Sequence, residues 1–384
     1  MYSFRIITLE DIKEINYFSE FPGNQASWLS DWYNTFNSRN DNDFGSHKKP
    51  YIIAAYQGSK LVAIVPLMKL SRTYFKIFKL QFVEFLGQQW SGMGYDILEI
   101  GKLKDSFAKE LVRWMKRNIS YHFMFFKYLP KTSLLRNRFK FYRYAGALYL
   151  KPLAYKSYED FTLNVYARKF REDLRRTVRR IKKDGYEMSV EQKLLNQESL
   201  KLIREISASK TEDGKGNLYE SKVKEEFHMK MYENMQSQVI FIKFNGKAVA
   251  YGTFIDYNEQ RIGIDAAFDR KYRKYGVGIH CIDQVIRSSF RDEKQKLSFG
   301  VGMDTYKFQF TNCIEEFYMC FDFKLRPAAL LALPYFKYRL LKTNKQVQDL
   351  MDKLLPNKPA QVQKSSDDKK NIVLAGEKKL QHSS

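Results

Sequence analysis

Two glycines close behind an arginine give the clearest chemical signal in the chain. They lie between a strand-like run at 261–268 and a helix-like run at 279–290, in the segment Arg273-Lys274-Tyr275-Gly276-Val277-Gly278. Glycine lets the backbone turn tightly and brings its N–H groups close to a ligand. A helix that begins there offers unpaired N–H donors and the positive end of its dipole. The loop therefore predicts a site for a phosphate-bearing cofactor, with an ordinary strand-to-helix turn as the alternative.

Asp265, in the strand-like run before this loop, is a candidate general base. The rest of that run is mostly apolar, so the carboxylate could lie inside a cleft and accept a proton directly or through water. A carboxylate that faces solvent or pairs with a nearby arginine would give the same sequence pattern. Both interpretations stay open at this stage.

The cysteines and histidines do not predict a metal site. The three cysteines (Cys281, Cys313 and Cys320) have no metal-ligand spacing, and the five histidines are scattered. An odd number of cysteines also argues against a disulfide framework and fits a reducing cytoplasm. We expect no metal cofactor, and we expect His280 and Cys281 to be packing residues of the helix after the loop.

The chain is strongly basic, and one helix-like segment concentrates the charge. The net charge is +23 over 384 residues, with 44% hydrophobic residues, which allows two domains with real cores. Residues 168–183 place Phe170, Leu174, Val178 and Ile181 at helical spacing, with basic residues around most of the remaining surface. Such a face attracts nucleic acid, anionic lipid or a phosphorylated cofactor. No recognised nucleic-acid motif accompanies it, so a wall of a substrate groove is a further option.

We expect a cytoplasmic protein, with peripheral contact to the inner membrane left open. Acidic residues follow the N-terminus too closely for a signal peptide. The apolar stretch at 328–336 is too short to span a bilayer and contains Pro334.

The order of predicted elements suggests an internal repeat. Helices are predicted at 27–36, 106–118, 157–184, 197–206, 222–235 and 279–290, and strands at 51–56, 61–67, 83–86, 96–100, 122–128, 239–244, 248–257, 261–268 and 296–300, with a strand pair through 317–325. The hairpin sequence Ala55-Tyr-Gln-Gly-Ser-Lys-Leu-Val-Ala63 resembles Lys243-Phe-Asn-Gly-Lys-Ala-Val-Ala250. Together with the helices before each hairpin, this favours two copies of one fold.

The second half resembles the GNAT acyltransferases. In that superfamily the pyrophosphate of acyl-CoA lies on an Arg/Gln-x-x-Gly-x-Gly/Ala loop, whose positions Arg273, Gly276 and Gly278 fill here. The longer pattern resembles the CelD-like (cellulose-biosynthesis) acetyltransferases, which are related to the Fem-type transferases. The motifs that carry it are Asn245 to Tyr251, Asp265 to Asp269, Tyr275 to Gly278, Phe299-Gly-Val-Gly302 and Tyr306-Lys307, with weaker support from Trp28, Trp32 and Val65-Pro66-Leu67.

The resemblance implies a tandem GNAT-like α/β (α+β) fold of two mixed-sheet halves. We expect an N-terminal half at 1–150 without a CoA loop, a C-terminal acyl-CoA-binding half at 151–341, and a largely disordered polar tail at 342–384 with some helix near 347–355. By resemblance, residues 273–278 would hold acetyl-CoA or another acyl-CoA as co-substrate, and Tyr306 would protonate the leaving thiolate. Lys307 would contact an anionic substrate or phosphate. For Tyr306 and Lys307, simple packing and a solvated side chain are the respective alternatives.

The implied activity is transfer of an acyl group, expected to be acetyl, to an amine or hydroxyl. The resemblance suggests a sugar or a cell-envelope or exopolysaccharide precursor as acceptor. Two alternatives remain. One is a Fem-type transferase that uses aminoacyl-tRNA, with tRNA bound along 168–183, and the other is a non-catalytic GNAT-like module that binds polyanions. The acceptor, the acyl chain length and the oligomeric state cannot be read from the sequence.

Overall fold

The structure, a computed structural model, describes residues 1–39, 45–74, 76–89, 94–209, 219 and 221–354. Met1–Val347 form one compact unit, and Gln348–Ser384 form a second, of which residues 348–354 are described as the end of a helix. Residues 210–217, between the predicted helices at 197–206 and 222–235, and the greater part of the predicted polar tail lie outside the described residues.

A single large mixed sheet forms the centre of the compact unit. Its strands are β1 (Ser3–Ile7), β2 (Ser46–Gln57), β3 (Lys60–Tyr74), β4 (Phe78–Phe85), β5 (Leu98–Glu99), β6 (Phe123–Pro130), β7 (Tyr142–Leu150), β8 (Met188–Leu194), β9 (Gln238–Phe244), β10 (Lys247–Tyr257), β11 (Gln260–Phe268), β12 (Lys296–Val301) and β13 (Cys313–Phe323).

Helices cover the sheet and connect its parallel strands. They are α1 (Leu9–Lys13), α2 (Ala26–Phe36), α3 (Phe107–Asn118), α4 (Tyr158–Val165), α5 (Arg168–Lys183), α6 (Gln197–Ser207), α7 (Lys222–Asn234), α8 (Val277–Arg291) and α9 (Pro327–Leu354). The connections through α3 and α8 link the parallel pairs β4–β6 and β11–β12, because parallel neighbours need a crossover segment.

The sheet repeats the same strand order from its two edges. The order is β1-β2-β3-β4-β6-β13-β7-β12-β11-β10-β9-β8, with β5 on a side branch from β3. Read inward, β1-β2-β3-β4-β6 matches β8-β9-β10-β11-β12. The hairpins predicted to be copies, β2–β3 and β9–β10, therefore occupy equivalent positions in the two halves.

The halves exchange one strand each at the middle of the sheet. β13, late in the chain, pairs with β6 of the first half, and β7, early in the chain, pairs with β12 of the second. β7 and β13 also pair with each other over seven residue pairs from Cys313–Tyr149 to Met319–Tyr142. The sheet is thus continuous across residue 150, and the predicted division of the chain there stays a prediction.

The hydrophobic core also joins the two halves. Trp28 and Trp32 lie four residues apart on α2, and both side chains are buried. The Trp28 ring meets Phe227 of α7 edge to face, with centroids 4.9 Å apart. α8 packs on β9 and β10, where the buried Cys281 thiol lies 3.7 Å from the Ile240 carbonyl oxygen.

Several predicted elements differ from the structure. The strand pair expected at 317–325 is wrong, because one continuous strand, β13, bonds to neighbours on both sides. The basic segment 157–184 is two helices, α4 and α5, separated at Tyr166 and Ala167. β7 and β8 are not among the predicted strands. The helix expected near 347–355 is not separate, because residues 342–346 are also helical and join it to α9, which begins at Pro327 and includes Pro334.

Candidate functional site

The strands β11 and β12 separate beside the predicted cofactor loop. Their parallel pairing covers Gln260–Lys296, Arg261–Leu297 and Ile262–Ser298 and then stops, although β11 continues to Phe268. Gly300, with φ +73°, turns β12 at this point, and a Cβ there would lie 3.0 Å from the Gly263 carbonyl oxygen. Two parallel strands that diverge leave backbone groups available to an extended ligand.

Asp265 lies on β11 just after the strands diverge. A β-bulge at Ile264 breaks the register with β10 between Thr253 and Phe254, and such bulges commonly redirect a side chain near a site. The Asp265 carboxylate, half-buried, accepts a hydrogen bond of 2.5 Å from the Tyr251 hydroxyl. Thr253 Oγ1 donates to the Asp265 carbonyl and accepts from its N–H, both at 3.1 Å. The carboxylate is therefore held in place from β10.

The glycine loop begins with a short 3-10 turn at Arg270–Tyr275 and ends at the start of α8. Gly276 adopts the left-handed conformation (φ +64°, ψ +27°) that other L residues rarely adopt. Gly278 is required for a different reason. A Cβ at this position would lie 2.8 Å from Phe268 Cδ1, so only glycine lets α8 begin this close to the end of β11.

Helix α5 supports the loop from outside. Asp184, at the end of α5, accepts hydrogen bonds from the Tyr275 hydroxyl (2.7 Å) and the Lys274 ammonium (3.0 Å), which hold the pKa of its carboxyl below the usual value. Arg180 donates to the Lys274 carbonyl oxygen at 3.0 Å. These contacts fix the loop before any ligand arrives.

The six predicted loop residues therefore differ in what they can offer a cofactor. The side chains of Tyr275 and Val277 are buried, so only their backbone groups can face a ligand. Lys274 is exposed but paired with Asp184. Arg273 is exposed, and its guanidinium makes no hydrogen bond or ion pair with a described residue, so it is available to a phosphate.

Tyr306 and Lys307 follow β12 in the turn that faces Asp265. Burial, with the charges of Asp304 and Asp265, raises the pKa of Tyr306 to about 12, so its hydroxyl stays protonated at neutral pH. The charge of Asp265 is the smallest of these causes, so the two predicted catalytic residues, Asp265 and Tyr306, lie in the same region of the structure without a described contact.

Lys307 is buried, which excludes the alternative of a solvated side chain. Its ammonium donates to the Gly302 carbonyl oxygen (3.0 Å) and lies 3.5 Å from the Asp304 carboxylate, and burial lowers its pKa. Its predicted contact with a substrate stays a prediction.

His280 and Cys281 are buried in α8, as expected of packing residues. His280 Nε2 lies 2.8 Å from the Thr177 hydroxyl of α5, and burial lowers the pKa of the ring. Burial raises the pKa of the Cys281 thiol to about 12, which makes it a poor nucleophile at neutral pH.

Sequence reasoning missed Tyr251 and Thr253, which hold Asp265. Their spacing of two places both on the same face of β10, and this was the available signal. No group of three or more metal-ligating side chains occurs among the described residues, and no described helix is long and apolar enough to cross a bilayer.

Comparison with known proteins identifies the domain that contains this site. Residues 168–308 match the family model of the acetyltransferase (GNAT) domain. The chain contains a GNAT domain. The matched segment begins with α5 and includes the glycine loop, Asp265, Tyr306 and Lys307. No curated protein matches the chain.

Solved structures extend the likeness of fold beyond the GNAT domain. A conserved protein of unknown function from Bacteroides thetaiotaomicron is 14% identical with a TM-score of 0.50, over 84% of this chain and all of the other. FemX is 10% identical with a TM-score of 0.52, over 83% of this chain and 96% of the other. A tandem GNAT protein from the clavulanic acid biosynthesis pathway is also 10% identical, with a TM-score of 0.43, over 84% and 98%. The predicted mixed α/β architecture with a GNAT domain is confirmed by the family match and by the large mixed sheet, whose two halves repeat one strand order.

Proposed function

We propose that the protein is an acyltransferase that moves an acyl group, expected to be acetyl, from acyl-CoA to an amine or hydroxyl. The observation that carries the proposal is the divergence of β11 and β12 directly beside a glycine loop at a helix N-terminus. The loop would hold the pyrophosphate through backbone N–H groups of α8, with Arg273 adding a charge-assisted contact. The diverging strands would hold the extended arm of the donor.

The proposed chemistry uses Asp265 and Tyr306 on opposite sides of the transferred group. Asp265 takes the proton that the acceptor loses as its nitrogen or oxygen attacks the thioester carbon, directly or through one water. The carbon–sulfur bond then breaks, and Tyr306 gives its proton to the departing thiolate. Tyr251 holds the carboxylate of Asp265 in place by its hydrogen bond. Lys307 positions the turn between Gly300 and Asp304.

By the resemblance to CelD-like acetyltransferases, the proposed acceptor is a sugar or a cell-envelope or exopolysaccharide precursor. Three free cysteines lie in the described part of the chain, which fits the cytoplasm as the proposed location.

Thiol release from acetyl-CoA, measured against a panel of amino sugars and hydroxylated sugars, tests the proposal. We expect release that depends on one acceptor class and falls in Asp265→Asn and Tyr306→Phe. Asp105, exposed just before α3, gives the matched control Asp105→Asn, which should leave the rate unchanged. Acetyl-CoA turnover that is equally fast in Asp265→Asn and wild type would contradict the assigned role of Asp265.

A Fem-type transfer from aminoacyl-tRNA is the second candidate, and the exposed face of α5 is the observation that favours it. That face carries five exposed cations that make no ion pair within the described residues: Lys169, Arg175, Arg179, Lys182 and Lys183. A row of unpaired cations binds phosphate backbones with a steep salt dependence.

Filter binding of charged tRNA at two salt concentrations separates the two candidates. For an acyl-CoA enzyme we expect weak binding that Arg175→Gln with Arg179→Gln hardly changes. Tight, salt-dependent binding that this pair of changes abolishes, while Arg113→Gln with Arg117→Gln on α3 does not, would favour the tRNA-dependent reaction.

A further inference from the structure

The first half of the chain contains a polar cavity at the position equivalent to the cleft between β11 and β12. The parallel pairing of β4 and β6 covers only Phe82–Phe123 and Val83–Met124, and the strands then diverge. The cavity lies beyond that point and has a volume of about 300 Å³. Its walls include Glu84, the next residue of β4, and Lys127 and Tyr128 of β6.

A buried ion pair forms one wall of this cavity. Glu84 is fully buried and accepts hydrogen bonds from both terminal nitrogens of Arg72. Burial alone would raise the pKa of the Glu84 carboxyl, but Arg72 outweighs it and keeps the pKa below its usual value. Gln89 Nε2 also donates to Glu84, at 2.5 Å. Glu84 is therefore a charged, fully committed acceptor and is not available to neutralise a second cation.

Lys127 is that second cation, and its ammonium has no oxygen partner among the described residues. It lies 5.1 Å from the centre of the Phe125 ring and 5.4 Å from that of Tyr144. The first cause of its lowered pKa is burial, which the charge of Glu84 only partly offsets, and Arg72 and Arg339 add repulsion. A partly buried ammonium without an acceptor is costly unless a ligand supplies one.

Gln89 presents an unused acceptor to the same cavity. Its Oε1 is buried and has no hydrogen-bond partner among the residues that the structure describes, while its Nε2 donates to Glu84. A buried amide oxygen without a donor is uncommon in native proteins. A ligand that satisfies both groups needs an anionic oxygen for Lys127 and a hydroxyl or amino donor for Gln89.

The backbone of β6 is shaped for this wall. Tyr128 has φ +58°, an unfavourable conformation for a bulky residue, and the register with β13 shifts between Tyr318 and Cys320. Gly302 of the second half also has a positive φ. Tyr128 lies four positions after Met124, where the parallel pairing of β6 ends, and Gly302 lies four positions after Ser298, where that of β12 ends. Strain that persists in a non-glycine residue is typical of functional sites.

We propose that this cavity binds a small hydroxylated acid, a sugar acid or sugar phosphate, with the acid on Lys127 and a hydroxyl donating to Gln89. The volume suits one monosaccharide-sized ligand. Lys224 of α7 also lines the cavity, so an element from the second half of the chain takes part in the site. The inference does not depend on the proposed acyl transfer, since it uses no residue of the glycine loop or of the β11–β12 cleft.

Calorimetric titration of the full-length protein with glucuronate and with glucose 6-phosphate tests the site, with glucose as the uncharged control. We expect at least one acid to bind and glucose to bind at least tenfold more weakly. Lys127→Met should weaken binding of the acid about tenfold or more, because a charge-assisted hydrogen bond is lost. Lys127→Arg should retain most of the affinity. The identity of the acid that binds distinguishes a carboxylate ligand from a phosphate ligand.

Two controls keep the result specific to this cavity. Lys79→Met removes an exposed lysine from the same strand as Glu84 and should leave binding unchanged. Arg273→Ala changes the glycine loop, which could itself bind phosphate, and should also leave it unchanged. Thermal unfolding should show Lys127→Met to be at least as stable as wild type, since a partly buried ammonium without an oxygen acceptor is removed. No binding of either acid, or binding lost in Arg273→Ala and kept in Lys127→Met, would overturn the inference.

Discussion

At the scale of single residues, the two loop glycines are required for different physical reasons. Gly276 provides a left-handed turn, and a Cβ there would make only ordinary contact, 3.7 Å from Thr177 Cγ2. Gly278 has an ordinary backbone, but its missing Cβ leaves room for the Phe268 ring. The position of the N–H groups at the start of α8 thus depends on a contact between the helix and β11.

Gly278→Ala should destabilise the protein by about 1–3 kcal/mol, the usual cost of overpacking. The change pushes α8 away from β11, so acetyl-CoA affinity should fall as well. Urea unfolding and calorimetry measure the two effects. Gly252→Ala is a matched control, since its Cβ would meet Cys281 and Val285 at an ordinary 3.5 Å. If Phe268→Leu does not reduce the cost of Gly278→Ala, the assigned contact is wrong.

Tyr251→Phe should lower kcat by about tenfold, the value of one hydrogen bond to a charged group. The hydroxyl holds the Asp265 carboxylate but touches no part of the donor site, so KM for acetyl-CoA should hardly change. Tyr257→Phe, on the same strand, removes a hydroxyl that donates instead to the Ser19 carbonyl oxygen, and provides the control. An unchanged kcat in Tyr251→Phe would contradict the positioning role.

Asp96 makes the stability of the protein depend on pH. Burial raises the pKa of its carboxyl from 3.8 to about 7, despite hydrogen bonds from Ser133 and the Ile97 N–H. The folded state therefore binds a proton that the unfolded state has already lost, and this contribution to stability falls as pH rises from about 4 to 7. In Asp96→Asn that fall should disappear. Urea unfolding of both proteins at pH 5 and pH 8 checks it, and an equal pH dependence in both would contradict the assignment.

The loop and Asp265 could be proposed from local sequence patterns, and Tyr306 from the resemblance to GNAT acyltransferases. The sequence could not predict the partners of these residues. Tyr251 reaches Asp265 through strand register, and Asp184 reaches Lys274 and Tyr275 across 90 residues of chain. The cavity at Lys127 was equally hidden, since its lining residues come from four strands (β3, β4, β6 and β7), a loop and α7.

At the scale of elements, the best predicted segments were those with strong periodicity or turn chemistry. The amphipathic face of α5 and the Asn245-Gly246 hairpin were both located correctly. β7 and β13 were predicted poorly because the position of each strand in the sheet depends on pairing with the other. Gly146 interrupts the apolar run of β7, yet in the structure its carbonyl accepts the Gly302 N–H at 2.9 Å. A strand from the first half therefore supports the turn beside the candidate site of the second.

Helix α9 shows the limit of local rules for helix ends. Proline inside a helix usually kinks or ends it, yet Pro334 lies within α9. The buried Phe336 packs against Phe82 and Phe123, with centroids 5.6 and 4.7 Å away. That packing on β4 and β6 compensates for the hydrogen bond that proline removes.

At the scale of the whole molecule, the exchanged strands make the two halves depend on each other. Without β13, strand β6 would have an open edge with its backbone groups unpaired. We therefore expect residues 1–150 expressed alone to be insoluble or unfolded, and co-expression with residues 151–384 to restore a soluble complex. Circular dichroism and gel filtration measure this. A folded, monomeric 1–150 fragment would show that the exchange is dispensable.

The central claim is that the cleft between β11 and β12, with the glycine loop, binds acyl-CoA. Calorimetric titration of the full-length protein with acetyl-CoA tests it most directly, beside Arg273→Ala and the control Arg117→Ala on α3. The account predicts one site per chain in wild type and in Arg117→Ala, with affinity reduced about tenfold in Arg273→Ala by loss of a charge-assisted phosphate contact. A folded wild-type protein that binds no acetyl-CoA would contradict it.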